Sequence, residues 1–267
     1  MNRGPLTAPV KGALGLETFG DLLRTWRGRR RMSQMALALA SDVSTRHLSY
    51  LETGKASPSR DMVLRLAETL SVPKQRRNDW LVAAGYAPLF QQRPLDDDAL
   101  KPFQTAVARL LERHDPYPGW ALDGRWRIVR TNPAGERLLR HLGIGAGDSL
   151  VAAILADPTL GGALVNWREA VSHLAARLGA EARRRHDDET AAAAGRLRTL
   201  AGGTVAASPL PAAVPTRLRY LNRVVSLISL QALFNTAEDL TLADIRIELF
   251  FPADAESETA LLDEHAR

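Results

Sequence analysis

Five helix-start signals follow one another closely between Thr18 and Pro73, and that punctuation leaves this stretch little choice but a bundle of short helices. Thr18 with Asp21 three residues on reads as a capping box, and Phe19, Leu22, Leu23 and Trp26 then fall at i, i+3, i+4 and i+7. Ser33 caps a short helix reaching about Leu39, and Ser44 caps another that runs to Glu52 and stops at Gly54. Only Ala40 to Val43 remain between them, enough for a tight turn. Ser59 opens a fourth helix with Val63, Leu66, Ala67 and Leu70 on one face, and Pro73 starts a fifth that Gly85 closes. Residues 17–90 are therefore expected to form a five-helix bundle, preceded by a flexible tail over 1–16, which is rich in Gly, Pro and small residues.

Charge separates this bundle from the rest. Residues 1–90 carry fourteen Lys and Arg against seven Asp and Glu, a net of +7, whereas residues 91–267 carry twenty-one against twenty-three, a net of −2. A compact positive module attracts a polyanion through counterion release, and a near-neutral one has no such preference. The absence of cysteine excludes disulfides, Cys-ligated zinc, iron–sulfur clusters and a thiol nucleophile. Six scattered histidines lack metal-ligand spacing, no Gly-x-Ser-x-Gly occurs, and Gly143-Ile-Gly145-Ala-Gly147 lacks the strand-turn-helix setting of a dinucleotide loop. No catalytic residue, metal or cofactor is expected, and an enzyme is the distant reading. Neither a signal peptide nor a spanning helix is seen, which gives a cytoplasmic expectation without membrane partners.

A helix, a tight turn and a second short helix inside a basic bundle can lay one helix in the major groove while its neighbour braces on the backbone. Ser44 to Thr53 is the reading helix and Ser33 to Ala40 the bracing one. Thr45, Arg46, Ser49 and Tyr50 share its outward face as base readers, with Arg46 offering a two-point fork to guanine O6 and N7. Gln34, Ser44, Lys55, Ser57, Ser59 and Arg24 are the phosphate candidates. Leu37, Ala38, Val43, Leu48 and Leu51 are spaced for burial. The run Met32-Ser33-Gln34, Leu37-Ala38, Val43-Ser44, Leu48 to Gly54, Pro58-Ser59 and Leu66 to Leu70 closely resembles the Xre-type, phage-repressor-like helix-turn-helix family. That resemblance implies that Gln34 steadies the reading helix, that Arg27 pairs with Glu52, leaving Arg24, Arg29, Arg30 and Arg31 as freer charges, and that a homodimer binds a two-fold double-stranded operator.

Residues 91–102, with Pro, Gln and an acidic triplet, read as a linker. Beyond it a helix from Phe103 to Arg113 leads to an Asp123-Gly124 hairpin signal, a strand over Arg125 to Arg130, and a helix opened by Asn132-Pro133. Residues 150–201 are helical in pattern, with Trp167, Val171, Leu174 and Leu178 on one stripe. Strands are expected over Thr216 to Tyr220, Val224 to Phe234 and Leu242 to Phe251, with 255–267 as a tail. The fold class is thus mainly α with an α+β second domain over 103–254, an antiparallel sheet with helices.

Trp126 to Leu139 looks like the strand-to-helix portion of PAS-type sensor domains. Asp157-Pro158, Val165 to Trp167, Leu174 to Leu178, Pro215 to Leu218 and Leu242 to Asp254 are similar, in order, to the MmyB-like regulator family, which joins an Xre-type head to a PAS-like ligand-binding domain. Trp120, Trp126, Ile128, Trp167, Leu227, Phe234 and Phe250 are candidate lining of an apolar effector pocket, with Asn132, His173 and Arg177 as polar anchors and Arg246 as another cationic group among apolar elements. The resemblance implies a fatty-acid-like or other hydrophobic effector. The alternative is a second domain that binds a protein partner, antitoxin-like or scaffolding.

Overall fold

A computed structural model describes residues 17–185, 187–203, 214–220, 222–234 and 239–265. The tail expected over 1–16, residues 204–213 and the Asn235 separator lie outside them. The chain divides into two units, Met1–Gln91 and Gln92–Arg267.

The first unit holds α1 (Phe19–Arg29), α2 (Gln34–Ala40), α3 (Thr45–Glu52), α4 (Arg60–Thr69) and α5 (Lys74–Ala83). Four of the five begin on a hydroxyl that accepts an otherwise orphaned backbone N–H: Thr18 from Asp21, Ser33 from Ala36, Ser44 from His47 and Ser59 from Met62. The Asp21 carboxylate returns a bond to Thr18, completing the expected box. α5 starts behind Pro73 without a side-chain cap. Leu23, Leu37, Leu48, Leu51, Leu66, Leu70, Trp80 and Leu81 form the buried centre, each leucine contributing about 1.5–3 kcal/mol by its removal from water. Gly20 lets α1 cross the end of α3, for a Cβ there would lie 2.7 Å from the Glu52 carbonyl oxygen and 2.8 Å from that of Leu51. Asn78 ties residues 89–90 back to α5, accepting from both their amides at 3.0 Å.

In the second unit the expected linker is instead part of the packed structure. Arg93 pairs with the buried Asp239 at 2.9 Å, the Thr241 hydroxyl donates to the Arg93 carbonyl at 2.6 Å, and Leu100 is buried within a 3-10 turn (Asp98–Leu100). Polar composition hid these anchors, which lie far along the chain. α6 (Lys101–His114) follows, then β1 (Gly119–Leu122), β2 (Ile128–Thr131), α7 (Pro133–His141), α8 (Leu150–Ala156), α9 (Trp167–Arg185), α10 (Asp188–Leu200), β3 (Thr216–Tyr220), β4 (Arg223–Leu233), α11 (Leu240–Asp244), β5 (Arg246–Pro252) and α12 (Ala255–His265). The five strands form one antiparallel sheet, in order β2-β1-β5-β4-β3. An α+β second unit behind a helical head is the fold class expected.

Three boundaries differ from the sequence reading, and the stretch read as helical over 150–201 is broken at 157–166, where the Asp157 carboxylate accepts the amides of Thr159 and Gly161 at 2.9 and 2.6 Å. β2 begins at Ile128 because the Asp123 carboxylate gathers the amides of Arg125 and Arg127, both at 2.9 Å, and curls the hairpin loop through Trp126, whose φ is 63°. Residues 240–244 form a helical turn capped by Asp239, so the last strand starts at Arg246. Residues 255–265 are α12 and no tail: Ala260 and Leu261 are buried in the main core, and the Ser257 hydroxyl accepts the Ser226 amide at 2.9 Å.

Period-two alternation gives the sheet two different faces. Trp120, Leu122, Ile128, Leu218, Val225, Leu227 and Phe250 point to an inner face packed beneath α7, α9, α10 and α12. Ala121, Ile247 and Leu249 point the other way, against Val107 and Leu111 of α6.

Candidate functional site

α3 presents the face its sequence requires. Leu48, Leu51 and Glu52 are buried, whereas Thr45 and Arg46 are exposed and Ser49 and Tyr50 are half-buried on the opposite side. Arg46 and Tyr50, four residues apart, are joined: Arg46 Nε donates to the Tyr50 hydroxyl at 3.0 Å, and the guanidinium carbon lies 5.5 Å from the ring centre.

Glu52 orients this helix from within. Arg27 donates Nε to Glu52 Oε1 at 2.6 Å and Nη2 to Oε2 at 2.9 Å, and its Nη1 holds the Met32 carbonyl at 2.9 Å. Gln34 Nε2 donates to Glu52 Oε2 at 2.7 Å, which joins α2 to α3, and Arg24 Nη2 takes the Glu52 carbonyl at 2.6 Å. Burial pushes the Glu52 carboxyl up, but the Arg27 and Gln34 hydrogen bonds outweigh it and leave the group below the usual glutamate value. Arg24 is therefore committed to α3 in this state, and so is the Gln34 amide nitrogen. Arg30 is likewise no free charge: it donates to the carbonyls of Leu70 and Ser71, at 2.8 and 2.9 Å. Lys55, Ser57 and Ser59 are exposed in the segment after α3, and Ser44 and Ser59 keep their hydroxyl protons while accepting a cap bond.

In the second unit the structure gathers most of the expected lining but fills the space between with side chains. Trp120, Trp126, Ile128, Leu227 and Phe250 are buried in one core, which Trp167 and Leu174 flank, and the Trp120 and Phe250 ring centres lie 4.4 Å apart. Phe234 does not join them; it belongs to the α6 face, edge-on to Phe103 at 5.8 Å. Asn132 is also removed from any pocket role, because its amide is fully engaged. Oδ1 accepts from Gly119 and Gly135, at 3.0 and 2.8 Å, and Nδ2 donates to Leu111 and Tyr117, at 3.2 and 2.8 Å. Two open clefts, of about 560 and 790 Å³, lie elsewhere, around His141, Gly161 and Arg219 and around Leu155, Gly195 and Thr199.

The two cationic anchors, Arg177 and Arg246, join a larger group of ion pairs than expected. Arg177 pairs with Glu248 at 2.6 Å, Arg246 with Glu181 at 2.6 Å, and Arg185 with Asp244 at 2.5 Å. Arg246 is 1% exposed, and its guanidinium sits 4.4 Å above the Trp126 ring centre, with Arg177 5.7 Å from the same ring. Burial lowers the Arg246 pKa, against the pull of Glu181. His173 on the same helix is pushed down by burial and by Arg177. Arg246 Nη1, Trp126 Nε1 and Trp120 Nε1 are buried without a hydrogen-bond partner. Glu181, Arg185, Asp244 and Glu248 were missed from sequence. The i, i+4 spacing of Arg177, Glu181 and Arg185 and the i, i+2 spacing of Arg246 and Glu248 are the signals that place them on one helix face and one strand face.

Among the described residues no group of His, Asp and Glu side chains has the arrangement of a metal site, and no helix is long and apolar enough to cross a membrane. A helix-turn-helix domain model matches residues 18–80. Comparison with curated proteins gives no match. The PAS domain of Bordetella pertussis BvgS is similar at 16% identity, over 61% of this chain and 96% of that one, with a TM-score of 0.30. The model of the MmyB-like transcription regulator ligand binding domain matches residues 103–262, well over half of the chain, and the chain belongs to that family.

Proposed function

We propose that this DNA-binding transcription regulator, whose second unit is a ligand-sensing domain, reads its sites in sequence-specific fashion as a cytoplasmic homodimer on two-fold duplexes. The carrying observation is the outward display of Thr45, Arg46, Ser49 and Tyr50 on a helix locked to a basic bundle through Glu52. One reading helix spans few base pairs, so two copies are needed for a useful site. Lys55, Ser57, Ser44 and Ser59 supply backbone contacts around it, and Gln34 and Arg24 act mainly by holding α3.

The effector that fits the second unit is apolar with an anionic end, such as a fatty acid. Three donors lack partners, Trp120 Nε1 and Trp126 Nε1 within the apolar core and Nη1 of Arg246, which lies over the Trp126 ring while its Nη2 pairs with Glu181, and a carboxylate satisfies such donors where a hydrocarbon tail replaces packed side chains. The test is native mass spectrometry of the full chain, followed by titration with fatty acids and with the matching alcohols. Binding of acids over alcohols supports the reading, and binding of neither removes it.

A protein partner in place of a small effector has its own support in the α6 face of β4 and β5, where Leu230 is 54% and Phe251 40% exposed. It predicts that no small molecule is retained and that substitution of Leu230, not of Arg246, abolishes regulation.

A further inference from the structure

Arg46 stands on the exposed face of α3 with no carboxylate at ion-pair distance among the described residues. A long flexible guanidinium in that position would sample many orientations before meeting a base, and it could offer either of two donor pairs: Nε with one Nη, or the two Nη groups end-on. Tyr50 removes that choice. Its hydroxyl receives the Arg46 Nε proton at 3.0 Å, and its ring lies under the guanidinium, with 5.5 Å from ring centre to Cζ. Tyr50 is itself well fixed: it is half-buried, and its carbonyl oxygen holds the amides of Lys55 and Ala56 at 2.8 and 3.2 Å, so the turn after α3 is folded onto it. An aromatic side chain with two torsions is a stiffer support than a four-torsion chain is for itself.

We propose that Tyr50 is a positioning residue for base selection: it occupies Arg46 Nε and so commits the guanidinium to an end-on contact, with its two Nη groups meeting O6 and N7 of one guanine. This rests on the assignment of Arg46 as a base reader and adds a determinant of specificity to it. Two terminal donors match the two acceptors on guanine's major-groove edge, whereas adenine places a donor beside N7. The Tyr50 hydroxyl also keeps its own proton, so removing it distinguishes a positioning role from a phosphate contact. Loss of a phosphate contact weakens binding to every duplex alike, while loss of positioning weakens discrimination at one base pair.

The experiment uses the full chain and duplexes enriched by it from a randomised pool. Wild type, R46A and Y50F are then compared on the enriched duplex, on copies with single guanines replaced by 7-deazaguanine, and on random duplex. For wild type, one guanine is expected to cost about tenfold when its N7 is removed. R46A is expected to lose that sensitivity entirely, and Y50F to reduce it to about threefold or less, with any loss on random duplex smaller than the loss on the enriched one. A Y50F protein that keeps the full wild-type penalty overturns the positioning role. So does a uniform loss on all duplexes, which assigns Tyr50 to the phosphates. If no guanine shows an Arg46-dependent penalty, the base-reading assignment of Arg46 fails first, and the proposal with it.

Discussion

Glu52 receives the Arg27 guanidinium on both carboxylate oxygens, at 2.6 and 2.9 Å, from a helix 25 residues earlier in the chain. With the Gln34 amide on the same group, three helices meet at one buried charge. Removing the buried carboxylate leaves the half-buried Arg27 guanidinium without its ion-pair partner, so Glu52→Ala should destabilise the first unit by about 3 kcal/mol. Hydrogen exchange of the α1–α3 amides would show it, and unchanged protection would contradict the assignment.

The same group sets an acid response. Its folded pKa lies below the unfolded value, so its stabilisation is complete above the ordinary glutamate range and is lost as pH falls through the lowered folded value. Between neutral pH and that range, stability of the first unit should be flat with respect to this group, declining only below it. Glu52→Gln should flatten the decline in denaturant midpoints measured against pH; an equally steep decline would assign the acid sensitivity elsewhere.

Two glycines of α1 should respond in opposite directions to the same substitution. Gly20→Ala forces a methyl to 2.7 Å from the Glu52 carbonyl oxygen and should cost about 1–3 kcal/mol, with weakened DNA binding as α3 is displaced. Nothing lies within 4 Å of a Cβ at Gly28, an ordinary helical position, so Gly28→Ala should stabilise by about 0.5–1 kcal/mol. Thermal unfolding of the two variants side by side decides the matter.

Asn132 joins α6, β1 and α7 through four hydrogen bonds at a site 2% exposed. Asn132→Ala orphans two amides and two carbonyls and should cost the second unit about 3 kcal/mol or more. Calorimetry should show the second transition shifted downward with the first in place. A variant that folds normally but fails to bind an effector would instead restore Asn132 as a ligand contact.

For effector binding, Arg246→Met keeps the volume over Trp126 but removes the unpartnered donor. A carboxylate ligand should lose about tenfold or more in affinity, the worth of one charge-assisted hydrogen bond, whereas the corresponding alcohol should be unaffected. Equal losses for both would mean that Arg246 serves only to shape the core.

The head was legible because four of its five helix starts are local events, a hydroxyl meeting an amide three residues on at Thr18, Ser33, Ser44 and Ser59. The outward face of α3 follows from the burial of Leu48 and Leu51, which i, i+3 spacing already implies. The second unit was less readable where its structure rests on distant partners. Arg177 finds Glu248 across 71 residues, and Arg93 finds Asp239 across 146, with no local pattern to announce either. α12 escaped because only Ser257, Ala260 and Leu261 of its eleven residues are buried, and much of its attachment is polar, through Tyr117 to Glu258 and Tyr220 to Glu264. Phe234 shows the cost of parity in a strand: its segment read correctly as β, but alternation at its end put the ring on the opposite face from Trp120 and Phe250.

The sheet order carries a consequence for synthesis. β5, the last of the described strands in sequence, lies in the centre, between β1 and β4, so no strand pairing links the two halves of the sheet until it arrives. During translation the DNA-reading head, built from neighbouring contacts, can finish folding while the sensing unit still waits with open strand edges. Premature termination between Gln92 and Arg246 would therefore leave a complete first unit followed by a sheet that cannot close.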